Sequence, residues 1–511
     1  MPIDQDKLPK MEAHRAQWKT QSGFLLAAIG SAIGLGSIWR FANICYQNGG
    51  GAYLIPYFVA LVTAGIPLMI LEYGIGHQMR GSAPMSFAKI RPHWEWLGWW
   101  IVIFVMFGIA MYYAVVVAWC VCYLGFSINL AWGADPNDFF FHQFLAVTSG
   151  PLQIGDVRSP ILLGLLIVWL VNWVIVFFGV EQGIERANKI FMPLLFVLII
   201  ILVVWVCFLP GAREGISRYL KPDFSRLTEA KVWIDAYSQI FFTLSLGFGI
   251  MVTYASYLPR KADINLNATV TSLVDTVVSL MAGLAVFGTL GYMAAQTKKP
   301  FEQVVQHEIG LAFVAYPQAI SLLPRFASLF GILFFLTLMA AGIASTISIL
   351  EAFSAAVIDK FHYPRKAVVT VLSVVGFLGG IVFATGGGFA WLDIVDHFLN
   401  HYGLFAACIL QCVLVGWIYG AKRLREHVNS VSRFRVGRLF DIFIRYLIPG
   451  ILLFLLVTDL VRDVRQPYGG YSWIAIILIG RDWLLLTLIA ALIVAMRPWH
   501  NPSKLDISHP V

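Results

Sequence analysis

Residues 30–37 read Gly-Ser-Ala-Ile-Gly-Leu-Gly-Ser, and residues 243–249 read Thr-Leu-Ser-Leu-Gly-Phe-Gly. Each stretch interrupts a long apolar run where a membrane helix should be strongest. A broken helix leaves carbonyl and N–H groups bare at mid-membrane depth. That is tolerated only where protein or a polar cavity satisfies them. The two stretches lie about five spans apart. Breaks at matching positions of two halves point to a solute and ion site of the kind secondary transporters build.

The rest of the chain belongs in lipid. Its 511 residues are 59% hydrophobic and 13% charged, with a mean hydropathy of +0.77. A soluble domain carries about 25% charged residues. Each crossing takes about 20 residues. The apolar runs then predict twelve spans, at roughly 22–46, 51–79, 96–129, 159–179, 189–209, 234–258, 267–295, 325–359, 366–386, 388–418, 441–459 and 473–496. This is an all-α polytopic membrane protein with no soluble domain. Residues 1–21 are polar and no cleavable signal peptide is expected.

A net charge of +8 would suggest nucleic acid in a soluble protein. Here its distribution has a plainer cause, and no nucleic-acid partner is expected. With the N-terminus in the cytoplasm, 22 Lys/Arg fall in or beside inside segments and 11 outside, while Arg40, Arg445 and Arg481 lie within spans. The loop 419–440 alone carries Lys422, Arg423, Arg425, Arg433, Arg435 and Arg438. This asymmetry puts both termini in the cytoplasm. The six cysteines fall in or next to apolar spans, so no disulfide framework is indicated. An amphipathic run at 301–311 reads as a short helix over the outer face.

Spans 1–5 and 6–10 each begin with a broken helix. Five is odd, so the two repeats have opposite topology. The expected organisation is a cytoplasmic segment 1–21 bearing an inner gate, a first repeat 22–209, an inverted second repeat 234–418, two added spans in 441–496, and a cytoplasmic tail 497–511.

The residues at the breaks carry a resemblance. They include Ala32-Ile33-Gly34-Leu35-Gly36-Ser37-Ile38-Trp39-Arg40-Phe41, Asn48-Gly49-Gly50-Gly51-Ala52-Tyr53, Ile66-Pro67-Leu68, Gly183-Ile184-Glu185, and the run from Gln239 through Thr243 to Gly249. The chain resembles the neurotransmitter:sodium symporter family, in particular its bacterial amino-acid transporters, from about residue 15 to the last span. The resemblance implies a LeuT-like 5+5 inverted repeat with discontinuous helices 1 and 6. It also implies sodium-coupled uptake by alternating access, a bacterial inner-membrane location, and a monomer or homodimer.

An isolated carboxylate is costly at mid-membrane. The broken first span offers the N–H groups of Leu35 and Gly36 at the positive end of a half helix. The broken sixth span offers the Phe242 and Thr243 carbonyls at a negative end. Such a pair of dipoles suits a zwitterion. By resemblance, Tyr113 donates to the substrate carboxylate. The Ala32, Phe242 and Thr243 carbonyls and Ser245 would hold its ammonium. Monoamine transporters of the family carry aspartate where this chain has Gly34, so the substrate is expected to bring its own carboxylate. The side-chain pocket implied is Ile109, Tyr113, Phe242, Ser245, Phe248, Ser345 and Ile349. That lining is uncharged and mostly apolar, which fits a neutral, hydrophobic amino acid.

Sodium is hard and wants several oxygens, as other hard cations do. The resemblance implies a first site at the Ala32 carbonyl, Ser37, Thr243, Asp275 and the substrate carboxylate. The family usually has asparagine where this chain has Ser37 and Asp275. A second site would use the carbonyls of Gly30, Ile33 and Ala341 with Ser345. Ala344 supplies no hydroxyl where bacterial relatives commonly do, so one or two ions remain open. Chloride-dependent relatives bind the anion at positions matching Tyr57, Gln239, Thr243, Asp275 and Ser279. A carboxylate at Asp275 supplies a fixed negative charge, and chloride is not expected to be required.

The resemblance also implies two gates. Arg40 and Asp396 would face each other across the outer entry, above a lid of Tyr113 and Phe248. On the cytoplasmic side Arg15 would meet Asp359, with Trp18, Ser256 and Tyr257 nearby. Rival readings are a proton-driven or one-sodium transporter of the same fold, a channel, and an intramembrane enzyme. Ser86-Phe87-Ala88-Lys89 mimics a nucleophile–lysine pair but falls in a basic loop. Asp393, Asp396, His397 and His401 share one face of the tenth span and read as a polar outer vestibule. No enzymatic activity is expected.

Overall fold

The structure, a computed structural model, describes residues 16–304 and 308–505. Ten helices are long and apolar enough to cross a membrane, and one further pair is bent by 71° at a break. The bent pair is α1 (Gln21–Ala32) and α2 (Leu35–Gln47). The straight spans that follow are α3 (Gly51–Met79), α5 (Pro92–Phe126), α6 (Ser159–Phe177) and α7 (Val180–Cys207). Between α3 and α5 lies the short α4 (Ala83–Ile90).

A second broken element follows. It consists of α8 (Ala230–Thr243) and α9 (Ile250–Ala255). Then come α10 (Ile264–Thr297), α11 (Ala327–Phe361), α12 (Arg365–Ala384), α13 (Gly388–Val431), α14 (Leu439–Gly470) and α15 (Trp473–Ala495). The protein is therefore an all-α, multi-pass membrane protein whose first and sixth elements are discontinuous.

One expected segment differs. The basic stretch 419–440 was expected as a loop, but α13 runs on to Val431. Its last turns, Ala421–Val431, bury Ala421, Leu424 and Val428. A Cβ on Gly74 would press against Leu424 and Val428, so this extension seats closely on α3. Within the amphipathic run at 301–311, the described residues Phe301–Val304 and Glu308–Gly310 are helical.

Each break has a local cause. Ile33 ends α1 at ψ 86°, and Gly34 is extended (φ −97°, ψ −174°). The Gly34 N–H turns back to the Ala32 carbonyl at 2.8 Å, leaving the Gly30 carbonyl without its usual helical donor. The second break is tighter. Ser245, Gly247 and Gly249 all adopt left-handed φ values of 52°, 78° and 71°, a region where glycine carries no steric penalty. Ser86 and Lys89 bond the Gly81 and Met79 carbonyls at 2.9 and 2.6 Å, which ties the α3–α4 turn together.

Candidate functional site

The two breaks open on one cavity of about 460 Å³. Its lining includes every residue expected around a substrate: Ala32, Gly34, Leu35, Gly36, Ile109, Tyr113, Phe242, Thr243, Ser245, Phe248, Ser345 and Ile349. Ile109 closes a widened turn, Val105–Ile109, one helical turn before Tyr113. Such turns recur where a helix must aim a side chain into a site.

Close packing explains the glycines. A Cβ on Gly34 would lie 3.0 Å from the Tyr113 hydroxyl and 3.4 Å from the Ser345 hydroxyl. One on Gly36 would overlap the Phe242 ring. Two polar groups are engaged differently from the sequence expectation. The Leu35 N–H donates to the Tyr113 hydroxyl at 2.9 Å instead of standing open. The Ser245 hydroxyl donates to the Ser31 carbonyl at 2.9 Å. In both cases a neighbouring span supplies the partner that a bare break lacks.

An oxygen cluster forms part of the cavity wall, with Asp275 behind it. The Ser37 hydroxyl is 2.7 Å from that of Thr243 and donates to Asp275 Oδ1 at 2.9 Å. Thr243 also reaches Asp275 Oδ2 at 3.0 Å. The Ala32 carbonyl is 3.5 Å from the Ser37 hydroxyl. All three side chains are buried. These four groups, drawn from α1, α2, α8 and α10, form an all-oxygen donor set with one carboxylate. That chemistry fits a hard monovalent cation.

The second expected set is looser. The Ser345 hydroxyl sits 3.3 Å from the Ala341 carbonyl and 3.5 Å from the Ser31 carbonyl. Gly30 is buried and pressed against Asn188 and Met192, while Ile33 and Ala344 are also buried. A neighbouring hydroxyl pair, Ser31 and Ser348 at 2.8 Å, was not foreseen.

The five positions matching an anion site, Tyr57, Gln239, Thr243, Asp275 and Ser279, are all buried. Tyr57 approaches the Thr276 hydroxyl at 3.4 Å. The Gln239 amide and the Ser279 hydroxyl have no hydrogen-bond partner among the described residues. Asp275 turns toward Ser37 and Thr243.

Arg40 and Asp396 both line the cavity. The Arg40 guanidinium lies 4.2 Å from the centre of the Phe242 ring. Asp396 accepts from Tyr112 and, at 2.8 Å, from Asn400. Asp393, His397 and His401 line the cavity too. The imidazoles of His397 and His401 engage Asp463 and Asp459 of α14.

Trp18, expected at the inner gate, is buried. Its indole donates to the Tyr254 carbonyl at 2.9 Å, and its backbone N–H to that of Tyr257 at 3.2 Å. Asp359 accepts the Ser82 N–H at 2.9 Å. Arg15 lies outside the described residues.

Three buried groups escaped the sequence reading. Glu72 accepts the Gly247 N–H at 2.7 Å and holds the second break in shape. Glu351 accepts from Tyr257 at 2.8 Å and pairs with Arg365. Tyr112 backs Asp396. A carboxylate within an apolar span is a candidate by default. Applied to Glu72 and Glu351 as it was to Asp275, that rule would have found them.

The family model described as the Sodium:neurotransmitter symporter family matches residues 15–137 and 133–500. The chain belongs to that family, and so to the sodium-dependent symporters. It is 47% identical over 458 residues to an uncharacterized sodium-dependent transporter of Methanocaldococcus jannaschii, covering 90% of this chain and 93% of the relative. It is 30% identical to a sodium-dependent dopamine transporter of Caenorhabditis elegans (93% of this chain, 85% of the relative). Identity to a creatine transporter of Torpedo marmorata is 31% (90% and 81%).

Proposed function

We propose that this protein couples sodium entry to uptake of a neutral, hydrophobic amino acid by alternating access, in an inner membrane with both termini cytoplasmic. One observation carries the reading. The two helix breaks face a single cavity, and Ser37, Thr243 and Asp275 close within 2.7–3.0 Å of one another at its wall. A zwitterion fits between the opposed half-helix ends. Its carboxylate would complete the cation's oxygen shell, so each ligand strengthens the other's binding. Gly34 adds no charge of its own, and the walls Ile109, Phe248 and Ile349 select against charged side chains.

The Ala32 carbonyl, Ser37, Thr243 and Asp275 are assigned to the first sodium. The Gly30, Ile33 and Ala341 carbonyls with Ser345 are assigned to the second. Asp275 substitutes for chloride at the position bordered by Tyr57, Gln239 and Ser279. Voltage then does work on the cargo. One charge crossing 100 mV gains about 2.3 kcal/mol, roughly a fifty-fold accumulation of solute.

Arg40 with Asp396 forms the outer closure, while Trp18, Tyr257 and Asp359 form the inner one. The first repeat is 22–209 and the inverted second 234–418. A second reading, with protons or one sodium as the driving ion, draws on the buried Asp275 and on the missing hydroxyl at Ala344.

The deciding experiment is radiolabelled uptake of a twenty-amino-acid panel into proteoliposomes, with an imposed sodium gradient or a pH gradient alone. Saturable sodium-driven uptake of apolar amino acids is expected. Uptake driven by the pH gradient in sodium-free buffer would favour the second reading. Flux without saturation or counterflow would mean a channel.

A further inference from the structure

Residues 499–505 are built into the body of the protein. Beyond α15, the indole N–H of Trp499 donates to Glu95 Oε2 at 2.7 Å. Glu95 stands in the first turns of α5 and is buried. Its other oxygen accepts from the Trp99 indole at 2.8 Å and from the Lys360 ammonium at 2.5 Å. The Lys360 side chain is fully buried at the end of α11. It also donates to the Val494 carbonyl at 2.8 Å, and its own carbonyl accepts the His500 N–H at 3.0 Å. The ammonium lies 5.3 Å from the Trp499 ring centre. Trp499 and Leu505 pack on Met85 and Ala88 of α4.

A buried ion pair of this kind is weak evidence for stability, because desolvation offsets much of the attraction. Hydrophobic side chains would fill the space at least as well. The pair's value lies in geometry: it fixes which elements meet. Those elements lead to α9, at whose end Trp18 is hydrogen-bonded. Lys360 follows Asp359, and Asp359 caps the Ser82 N–H at the start of α4. The next residue, Ala83, touches the second break. A Cβ on Gly249 would lie 3.2 Å from Ala83, Ile101 and Val102. One chain of contacts therefore runs from the tail through α4 and α5 to the start of α9.

We propose that Trp499, acting with Glu95 and Lys360, is a positioning residue for the inner closure: the tail straps α4, α5 and α11 together and holds Asp359 and the start of α9 where Trp18 seals them. Opening toward the cytoplasm then requires the strap to loosen. The inference rests on the inner-closure reading above, and its test separates the two.

The reporter is Ser256→Cys, a buried position between Tyr254 and Tyr257, the two residues that bond Trp18. It is placed in the full-length protein with Cys122 and Cys207 replaced by serine. A membrane-impermeant maleimide is applied to the cytoplasmic face of inside-out vesicles, in sodium or in choline. Trp499→Ala should speed labelling about tenfold, equivalent to about 1.4 kcal/mol in the closed–open balance. Trp499→Phe keeps the packing and loses the N–H bond, so it should fall between parent and Trp499→Ala. Glu95→Gln with Lys360→Met removes both charges at once and should match Trp499→Ala.

Sodium should slow labelling by the same factor in the parent and every variant, which a merely unfolded protein would not show. Trp18→Ala serves as the comparator. If it speeds labelling while the tail variants stay within about twofold of the parent, the strap is wrong and the closure reading stands. If none of them speeds labelling, both fall. If the tail variants label fast but lose the sodium effect, they report unfolding, and the strap is overturned.

Discussion

The two oxygen clusters at the helix breaks are built on different principles. Around Asp275, hydroxyls from α2 and α8 converge on a buried carboxylate at 2.7–3.0 Å. Around Ser345, one hydroxyl sits at 3.3–3.5 Å from neutral carbonyls, with no side-chain oxygen at Ala344. The first cluster carries its own negative charge and already approaches the spacing of a coordination shell. The second relies on the negative end of α1 and on whatever orientation α11 gives Ser345. A cation should therefore depend most steeply on the charge of the first cluster and next on the single hydroxyl of the second.

Removing the charge breaks this contrast most directly. Asp275→Asn should raise the sodium concentration for half-maximal uptake by about ten- to a hundred-fold, since bonds to charged groups are worth about 1.5–3 kcal/mol. Wild-type uptake should be indifferent to chloride. Uptake that rises with chloride in the wild type, but not in Asp275→Asn, would sink the idea that the carboxylate replaces the anion.

Ser345→Ala deletes the one hydroxyl of the second set. A roughly tenfold weaker sodium dependence is expected, near the upper end for a neutral group. An unchanged sodium curve would mean that no ion binds there.

Ser37→Ala should cost about fivefold, because Thr243 and Asp275 remain to hold the ion. A loss larger than that of Asp275→Asn would reverse the ranking of charge over hydroxyl.

The smallest effect sharpens the contrast from the other side. Ala344→Ser adds an oxygen in a buried position and should tighten sodium about threefold. The size of serine limits overpacking. Isotopic sodium binding to purified protein, with and without the change, measures it.

Much of the fold was legible in the sequence because its signals are local. Apolar runs of about 20 residues mark spans, and glycines within two of them mark the breaks. The stretch after residue 418 was misread because its charges suggested a loop, while Leu424 and Val428 in fact seat against Gly74. Candidate site residues such as Tyr113 and Asp275 were recognised through family resemblance, yet their hydrogen bonds were not. Tyr113 turned out to hold the Leu35 amide that composition leaves open. Glu72, Glu351 and Trp499 went unnoticed because each gains its meaning from a partner far away in the chain. Gly247, Arg365 and Glu95 are those partners.

The amino-acid order alone determined that this chain lives in a bilayer and that two of its spans cannot stay continuous. Hydropathy and glycine act over a few residues and need no distant partner. Only the folded arrangement decided which oxygens meet. Ser37 and Asp275 are 238 positions apart, and their 2.9 Å contact exists because three packed helices fix their relative height and rotation.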